Sequence, residues 1–261
     1  MPKQLEHLIA TPRERRYDTP LLLLHGAWHG AWCWRDAMHD LAGRGFEVHA
    51  IGLRGHGRSD PATINLCGLR DYQRDLETAV AAIHPRPVVV GHSMGGYILQ
   101  LFLSEQQLPG AVLLASVPTG GPGAYMLGAL RRDPLNFLLA FGTLDLLGLV
   151  GTPQRAREAF FRPDIPPAEL ALYTTLLGPE SARVGLESLL FRPRPERNRS
   201  PLLLIAAERD TIFTLDEQHA TARAYGAELI IIPEAAHDLM LDPAWPLAAD
   251  AIEQAVARWT S

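Results

Sequence analysis

Lysine is almost missing from this chain: Lys3 is the only one, and the remaining basic residues are arginines. Lys and Arg together number 24 against 29 Asp and Glu, which leaves a formal charge of −5. No basic field exists to attract nucleic acid or an anionic membrane, so both are excluded as partners. The arginine bias carries no phosphate-recognition signal of its own. Cysteine is equally scarce. Cys33 and Cys67 cannot build a disulfide framework or a four-thiolate zinc site, and a reducing, cytoplasmic compartment is expected. Met1 to Ala10 has no apolar run of signal-peptide length, and the longest apolar stretch, Leu135 to Val150, is interrupted by Gly142, Asp145 and Gly148. No membrane span is expected. The sequence also lacks an internal repeat, a His-Glu-x-x-His or clustered Cys/His pattern, and a Gly-x-Gly-x-x-Gly after its first strand, so no metal and no cofactor are expected.

What is present is ordinary globular material: 261 residues, 47% hydrophobic and 20% charged. A chain of this size buries about three quarters of its unfolded surface, enough for a large core. Leu21 to Leu24, bounded by Pro20 and Gly26, reads as a strand buried on both faces. Similar runs follow at Phe46 to Ile51, Pro87 to Val90, Ala111 to Ala115, Leu202 to Ala206 and Leu229 to Ile232. Between most of them lie helical patterns: Trp34 to Ala42, Leu69 to Ile83, Gly96 to Ser104 and Asp216 to Tyr225, with Leu247 to Trp259 closing the chain. Alternating strand and helix predicts an α/β fold with a doubly wound, mainly parallel sheet, its functional loops gathered at the carboxyl ends of the strands.

The alternation fails from Pro118 to Arg199, where Gly-Pro-rich loops separate helix-like stretches at Tyr125 to Arg131, Pro134 to Leu147 and Pro167 to Leu176. A structureless loop of that length does not belong inside a compact domain. The expected organisation is a core domain of residues 1–117 and 200–261, with residues 118–199 inserted as a helical cap. Arg192 to Pro201, polar and Pro-rich, has the composition of a hinge.

Val88 to Val90 leads into Gly91-His92-Ser93-Met94-Gly95, a Gly-x-Ser-x-Gly pattern placed after a buried strand and before a helix. A turn tight enough to lift a serine hydroxyl above the sheet strains the serine backbone and needs small residues two before and two after it. Gly91 and Gly95 supply them. The helix that follows directs N–H groups and a positive dipole end at the place where an oxyanion would form. The Met94 N–H is one candidate donor, and the Ala27 N–H, in His25-Gly26-Ala27-Trp28 after the first buried strand, is the other. A serine hydroxyl needs a base, and the base needs an acid to orient it. Asp210 stands just past the Leu202 strand and His237 in the loop beyond the next. Asp238, Asp242 and Glu208 are the competing carboxylates; of these, Asp238 directly adjoins His237 and is poorly placed to reach its ring. His92 and His25 read as packing residues.

The order Ser93, Asp210, His237 and these loop placements resemble the α/β-hydrolase fold over nearly the whole chain. Gly55-His56-Gly57-Arg58-Ser59 is similar to that family's Gly-x-Gly-x-Ser loop, which the resemblance makes a structural turn braced by His56. His25-Gly26-Ala27-Trp28-His29-Gly30-Ala31-Trp32-Cys33-Trp34 is similar to the branch of plant methyl-ester hydrolases and hydroxynitrile lyases. The lyases resemble a triad with a lysine beside the catalytic histidine, whereas Ala236 and Asp238 flank His237, so cyanohydrin cleavage is disfavoured.

The insertion carries Tyr125, Met126, Leu130, Phe137, Leu138, Phe141, Leu144, Phe160 and Phe161, most of them expected to pack. Trp28, Tyr125, Phe137 and Phe160 are the candidates for lining a substrate pocket, and Arg131, Arg132 and Arg157 read as surface charges. The expectation is a cofactor-independent esterase acting on small-molecule carboxylic esters through an acyl-enzyme on Ser93. The same residues serve lactone opening, C–C hydrolysis or perhydrolysis, and a catalytically weak receptor is a third reading. Oligomeric state is left open.

Overall fold

The computed structural model describes residues 4–260. Among them seven strands form one sheet: β1 (His7–Ala10), β2 (Leu21–Leu24), β3 (Val48–Ile51), β4 (Val88–His92), β5 (Ala111–Leu114), β6 (Leu202–Ala207) and β7 (Glu228–Ile232). Their order is β1-β3-β2-β4-β5-β6-β7, all parallel except β1, which runs antiparallel to β3. The winding turns outward from β2 in both directions, so the crevice at the carboxyl ends of β2 and β4 is where an open α/β sheet places its ligand.

Strands β2 to β5 are buried along their full length, as continuous apolar runs require when both faces are covered. Alternate residues serve different cores. Leu21, Leu23, Val88 and Val90 pack beside α1 (Arg35–Gly43), whereas Leu22, Leu24 and Val89 face α2 (Leu69–Ala82) and α3 (Met94–Leu103). Five helices then separate β5 from β6: α4 (Gly123–Arg132), α5 (Pro134–Thr143), α6 (Pro153–Phe160), α7 (Pro167–Leu176) and α8 (Ala182–Leu190). Their starts are written locally. Asp133 accepts from the Asn136 N–H, Thr152 from Arg155 and Ser181 from Val184, with Pro134 and Pro153 in the first turn. α9 (Leu215–Tyr225) and α10 (Trp245–Thr260) complete the chain; α9 has a Thr214/Glu217 capping box and a left-handed Gly226 stop, and α10 joins α1.

Several elements differ from the pattern reading. β1 was not anticipated, because a four-residue strand of alternating half-buried and exposed positions has little signal of its own and is defined by its pairing with β3. The run Pro134 to Leu147 is broken at Leu144, whose φ of 58° ends α5. α6 and α8 were missed. Of the insertion's apolar inventory, Leu138 and Leu144 are 63% and 51% exposed and fall outside the packed majority. Arg192 to Pro201 is tied down: the Arg194 N–H donates to Ser104 Oγ at 2.8 Å, and Ser200 Oγ accepts from the Leu108 N–H at 2.9 Å.

Where α3 meets β2 there is no room for a side chain. A Cβ on Gly95 would fall 2.5 Å from the His25 carbonyl oxygen and 2.6 Å from that of Leu24. Gly95→Ala is therefore expected to cost about 1–3 kcal/mol or more by forcing the two elements apart. Gly128, inside α4 with nothing within 4 Å of its would-be Cβ, gives the opposite sign: Gly128→Ala should gain about 0.5–1 kcal/mol. Urea denaturation midpoints read both, and equal effects at the two glycines would refute the packing argument.

Candidate active site

Ser93 stands at the turn between β4 and α3 with φ 51° and ψ −118°, a backbone conformation that a non-glycine residue keeps only when its surroundings impose it. The constraint is visible. The Ser93 N–H donates to the Leu114 carbonyl at 3.0 Å, and its own carbonyl accepts from Tyr97 and Val117 at 3.2 and 3.1 Å. A Cβ on Gly91 would fall 2.7 Å from the Gly95 carbonyl oxygen, and one on Gly26 2.8 Å from Ser93 Cβ. The glycines flanking the serine are thus demanded by space, and the β2 loop presses its backbone against the hydroxyl-bearing residue.

His237, in the loop after β7, is 1% exposed. Its Nε2 lies 3.0 Å from Ser93 Oγ and its Nδ1 2.8 Å from Asp210 Oδ2. Asp210 follows β6, and its other oxygen accepts from the Ile212 and Phe213 N–H groups at 2.8 and 3.1 Å, which fixes the carboxylate's orientation. Nδ1 therefore carries the proton that it donates to Asp210, and Nε2 is left to accept the Ser93 proton. The competing carboxylates go elsewhere. Asp238 pairs with His29 at 2.9 Å, Asp242 accepts from Ala236 and Ala244, and Glu208 accepts from Glu234.

Ala27 and Met94 border the same cavity as Ser93. Among the described residues the Ala27 N–H has no acceptor, nor does that of Met94 outside its own helix. The cavity measures about 100 Å³ and is bounded by Trp28, Tyr125, Phe137, Phe141, Leu146 and Phe213 among others. Its polar lining is already engaged: Ser181 Oγ donates to the Cys67 carbonyl and Ser188 Oγ to that of Val184. Of the proposed pocket residues, Trp28, Tyr125 and Phe137 line it. Phe160 lies outside it, with its ring 6.2 Å from that of His237 and 5.2 Å from that of His29.

Residues that the sequence reading did not single out hold this arrangement together. Glu180, 4% exposed, accepts from Tyr72 OH at 3.0 Å, the Ser181 N–H at 2.6 Å, His56 Nε2 at 3.2 Å and, more loosely, the Trp28 N–H at 3.4 Å. It sits in a Gly-Pro loop with no pattern to mark it. Burial and the neighbouring His56 push the His25 imidazole well below its ordinary value, so it stays neutral, donating to the Gly26 carbonyl and accepting the Leu53 N–H. Burial, with His237 nearby, lowers His92 to about 3, and its Nε2–H meets the His237 carbonyl at 3.1 Å. His29 moves the other way. Burial opposes its charge, but the Asp238 carboxylate and the Ala27 carbonyl raise its pKa.

His92, His237 and Asp238 bring ligand-type atoms within 4.8 Å of one another. Both His237 nitrogens are engaged with Ser93 and Asp210, so a cation there would have to break the hydrogen-bond chain that the site is built around.

The profile of the alpha/beta hydrolase family matches residues 21–249. A probable esterase, PIR7A, from Oryza sativa subsp. indica is 31% identical over 175 residues, which is 60% of this chain and 65% of the rice protein. Methylesterase 18 of Arabidopsis thaliana is 26% identical over 74% of this chain and 80% of its own length, and pheophorbidase of Raphanus sativus 25% identical over 83% and 86%. Among solved structures, a thermophilic esterase from Thermogutta terrifontis superposes with a TM-score of 0.75 at 19% identity, covering 99% of this chain and 95% of that one. An enol-lactonase from Burkholderia xenovorans LB400 gives 0.71 at 18%, covering 98% and 96%. A serine at a strained strand-to-helix turn, on this sheet order and within this span, has one family to answer to: the chain belongs to the alpha/beta hydrolase family.

Proposed function

We propose that the protein is a serine esterase that cleaves small, largely apolar carboxylic esters through an acyl-enzyme on Ser93. The observation that carries this reading is the unbroken chain from Ser93 Oγ through His237 to Asp210, opening on an apolar cavity. The names borne by the rice and Arabidopsis relatives agree with ester chemistry.

In the proposed cycle Ser93 Oγ attacks the ester carbonyl carbon while His237 Nε2 takes the hydroxyl proton. The Ala27 and Met94 N–H groups hold the resulting oxyanion, each worth about 3 kcal/mol in sites of this kind. Collapse breaks the C–O bond to the alcohol, which leaves with the proton returned by His237. Water then repeats the sequence on the acyl-enzyme, and the carboxylic acid departs. Asp210 keeps the imidazole in the required tautomer and stabilises its positive form. No cofactor takes part. Residues 118–199 act as a helical cap over a core of residues 1–117 and 200–261, supplying Tyr125 and Phe137 to the cavity. A chain with two cysteines builds no disulfide framework, and the cytoplasm is the compartment we assign; among the described residues no helix is long and apolar enough to cross a membrane.

Ser93→Ala should reduce kcat by about four orders of magnitude or more. Treatment with a fluorophosphonate should add one adduct to the wild type and none to the variant by intact mass, and an adduct surviving on Ser93→Ala would overturn the assignment. Asp210→Asn should lower kcat by up to about 10⁴-fold while Glu208→Gln leaves it near wild type; the reverse pattern would move the orienting carboxylate to Glu208. The cavity, smaller than the roughly 300–1,000 Å³ of pockets that enclose drug-sized ligands, should favour short acyl groups. In a p-nitrophenyl ester series, kcat/KM for acetate and butyrate should exceed that for decanoate, and Phe137→Ala should shift the optimum to longer chains. A profile that rises with length in the wild type would show that the cavity does not receive the acyl group.

A further inference from the structure

His29 connects two loops that the sheet cannot connect. It stands two residues beyond Ala27, at the end of β2, while Asp238 directly follows His237, beyond β7. Strands β4, β5 and β6 lie between β2 and β7, so no backbone ladder sets the spacing of those two loops. The imidazole bridges them. Its Nδ1 is 2.7 Å from the Ala27 carbonyl oxygen and its Nε2 2.9 Å from Asp238 Oδ2, with the two side chains 1% and 0% exposed. Both partners are acceptors. Each ring nitrogen therefore donates, and the ring carries the positive charge that the carboxylate balances.

We propose that His29 and Asp238 are a pair of positioning residues, whose buried ion pair holds the Ala27 oxyanion donor and the His237 base at a fixed mutual spacing. The proposal rests on reading Ser93 as the nucleophile, since only then do Ala27 and His237 serve one reaction.

The surroundings of Asp238 point to this role. Its backbone N–H donates to the Phe160 carbonyl at 3.0 Å, so the inserted helices hold it from one side. Its Oδ2 belongs to His29. Among the described residues its Oδ1 has no hydrogen-bond partner, and the nearest imidazole, His92 Nε2, stands off at 3.7 Å. Among the described residues His29 is thus the one hydrogen-bonded side-chain partner of this buried carboxylate, and removing either partner strands the other's charge. Stability alone is a poor reason for such a pair, because well-packed apolar residues usually serve a core as well or better. What an apolar pair cannot supply is direction. The hydrogen bonds aim the Ala27 carbonyl and the residue after His237 toward one ring.

The Asp238 carboxylate also lies near the imidazole that must become positive in the transition state, since its ligand-type atom, that of His92 and that of His237 all fall within 4.8 Å. His29 offsets that charge before reaction begins. The place beside the base that resembles the lysine position of the lyases holds an acid here, already committed to a partner on the opposite loop.

Asp238→Asn should lower kcat for p-nitrophenyl acetate by about tenfold or more with KM within about twofold, and His29→Gln should do the same. Because the two act as one unit, the double variant H29Q/D238N should lose no more than the worse single variant. A kcat near wild type for Asp238→Asn, a loss confined to KM, or single losses that multiply in the double variant would each overturn the proposal. Ser93→Ala in the same assay separates the two levels: turnover that survives it removes the nucleophile reading, whereas Ser93-dependent turnover unmoved by Asp238→Asn removes only the pair. Should either variant fail to fold, the wild type still decides. In nitrogen-15 spectra of labelled histidines, His29 should show both ring nitrogens protonated at neutral pH, and a singly protonated ring would overturn the proposal.

Discussion

A serine held with φ at 51° and ψ at −118° is the constraint from which the rest of the site follows. Such a backbone costs on the order of 1–3 kcal/mol and persists only where its neighbours leave it no alternative. Those neighbours are the Leu114 and Val117 backbone of the adjoining strand and loop, which take both of its peptide hydrogen-bonding groups, and the bare backbones of Gly26, Gly91 and Gly95. Each glycine stands at a contact below 3 Å that a Cβ would have to break. The strained turn, the opening of α3 and the approach of the β2 loop are therefore one packing problem with one solution. Ser93 Oγ is held there 3.0 Å from His237 Nε2.

The histidines around that turn show how far environment divides one residue type. His25 and His92 are buried among other imidazoles with mainly neutral hydrogen-bond partners, and burial holds both uncharged. His29, equally buried, faces a carboxylate and a carbonyl and is pulled toward the charged form. Asp238 answers it: burial resists ionisation there, and the His29 charge lowers its pKa all the same. His237 is the one among them with a nitrogen turned to a hydroxyl that can give up a proton. A low-dielectric interior amplifies each of these differences, so a few hydrogen-bond partners suffice to set these imidazoles apart.

Much of this was legible in the chain because its signals are local. The Ser93 pattern sits between a buried strand and a helix, and the strand ends at Ala207 and Ile232 put Asp210 and His237 in loops on the same edge of the sheet. Parallel runs such as Leu21 to Leu24 announce themselves through continuous burial. What escaped the reading is what depends on partners far away. β1 is a strand by virtue of β3, and Glu180 acquires meaning only when Tyr72, His56 and Trp28 converge on it. Phe160 and Phe161 close α6, where the helix's rotation decides which ring faces which neighbour; Phe160 turned to the imidazoles of His29 and His237. Asp238, weighed as a rival to Asp210, is excluded from that place by its bond to His29, a residue more than two hundred positions earlier in the chain.

The inserted helices and the loop after β2 are not separable parts. Trp28, next to Ala27, has φ 63° and is fixed by three bonds to the insertion: its N–H to Glu180, its carbonyl from the Gly178 N–H at 2.8 Å, and its indole N–H to the Leu146 carbonyl at 3.1 Å. Its ring meets Phe160 at 5.9 Å. Each hydrogen bond contributes on the order of 1 kcal/mol net, so lifting the insertion away from Trp28 costs about 3 kcal/mol in these bonds alone, before any apolar contact is counted. A sequence change that reshapes the cavity through Leu146, Gly178 or Glu180 therefore also acts on the residue beside Ala27, the proposed oxyanion donor. On the proposed esterase reading, pocket shape and donor position are then set by the same contacts, and a preference for one acyl group and the rate at which that group reacts would be linked through Trp28.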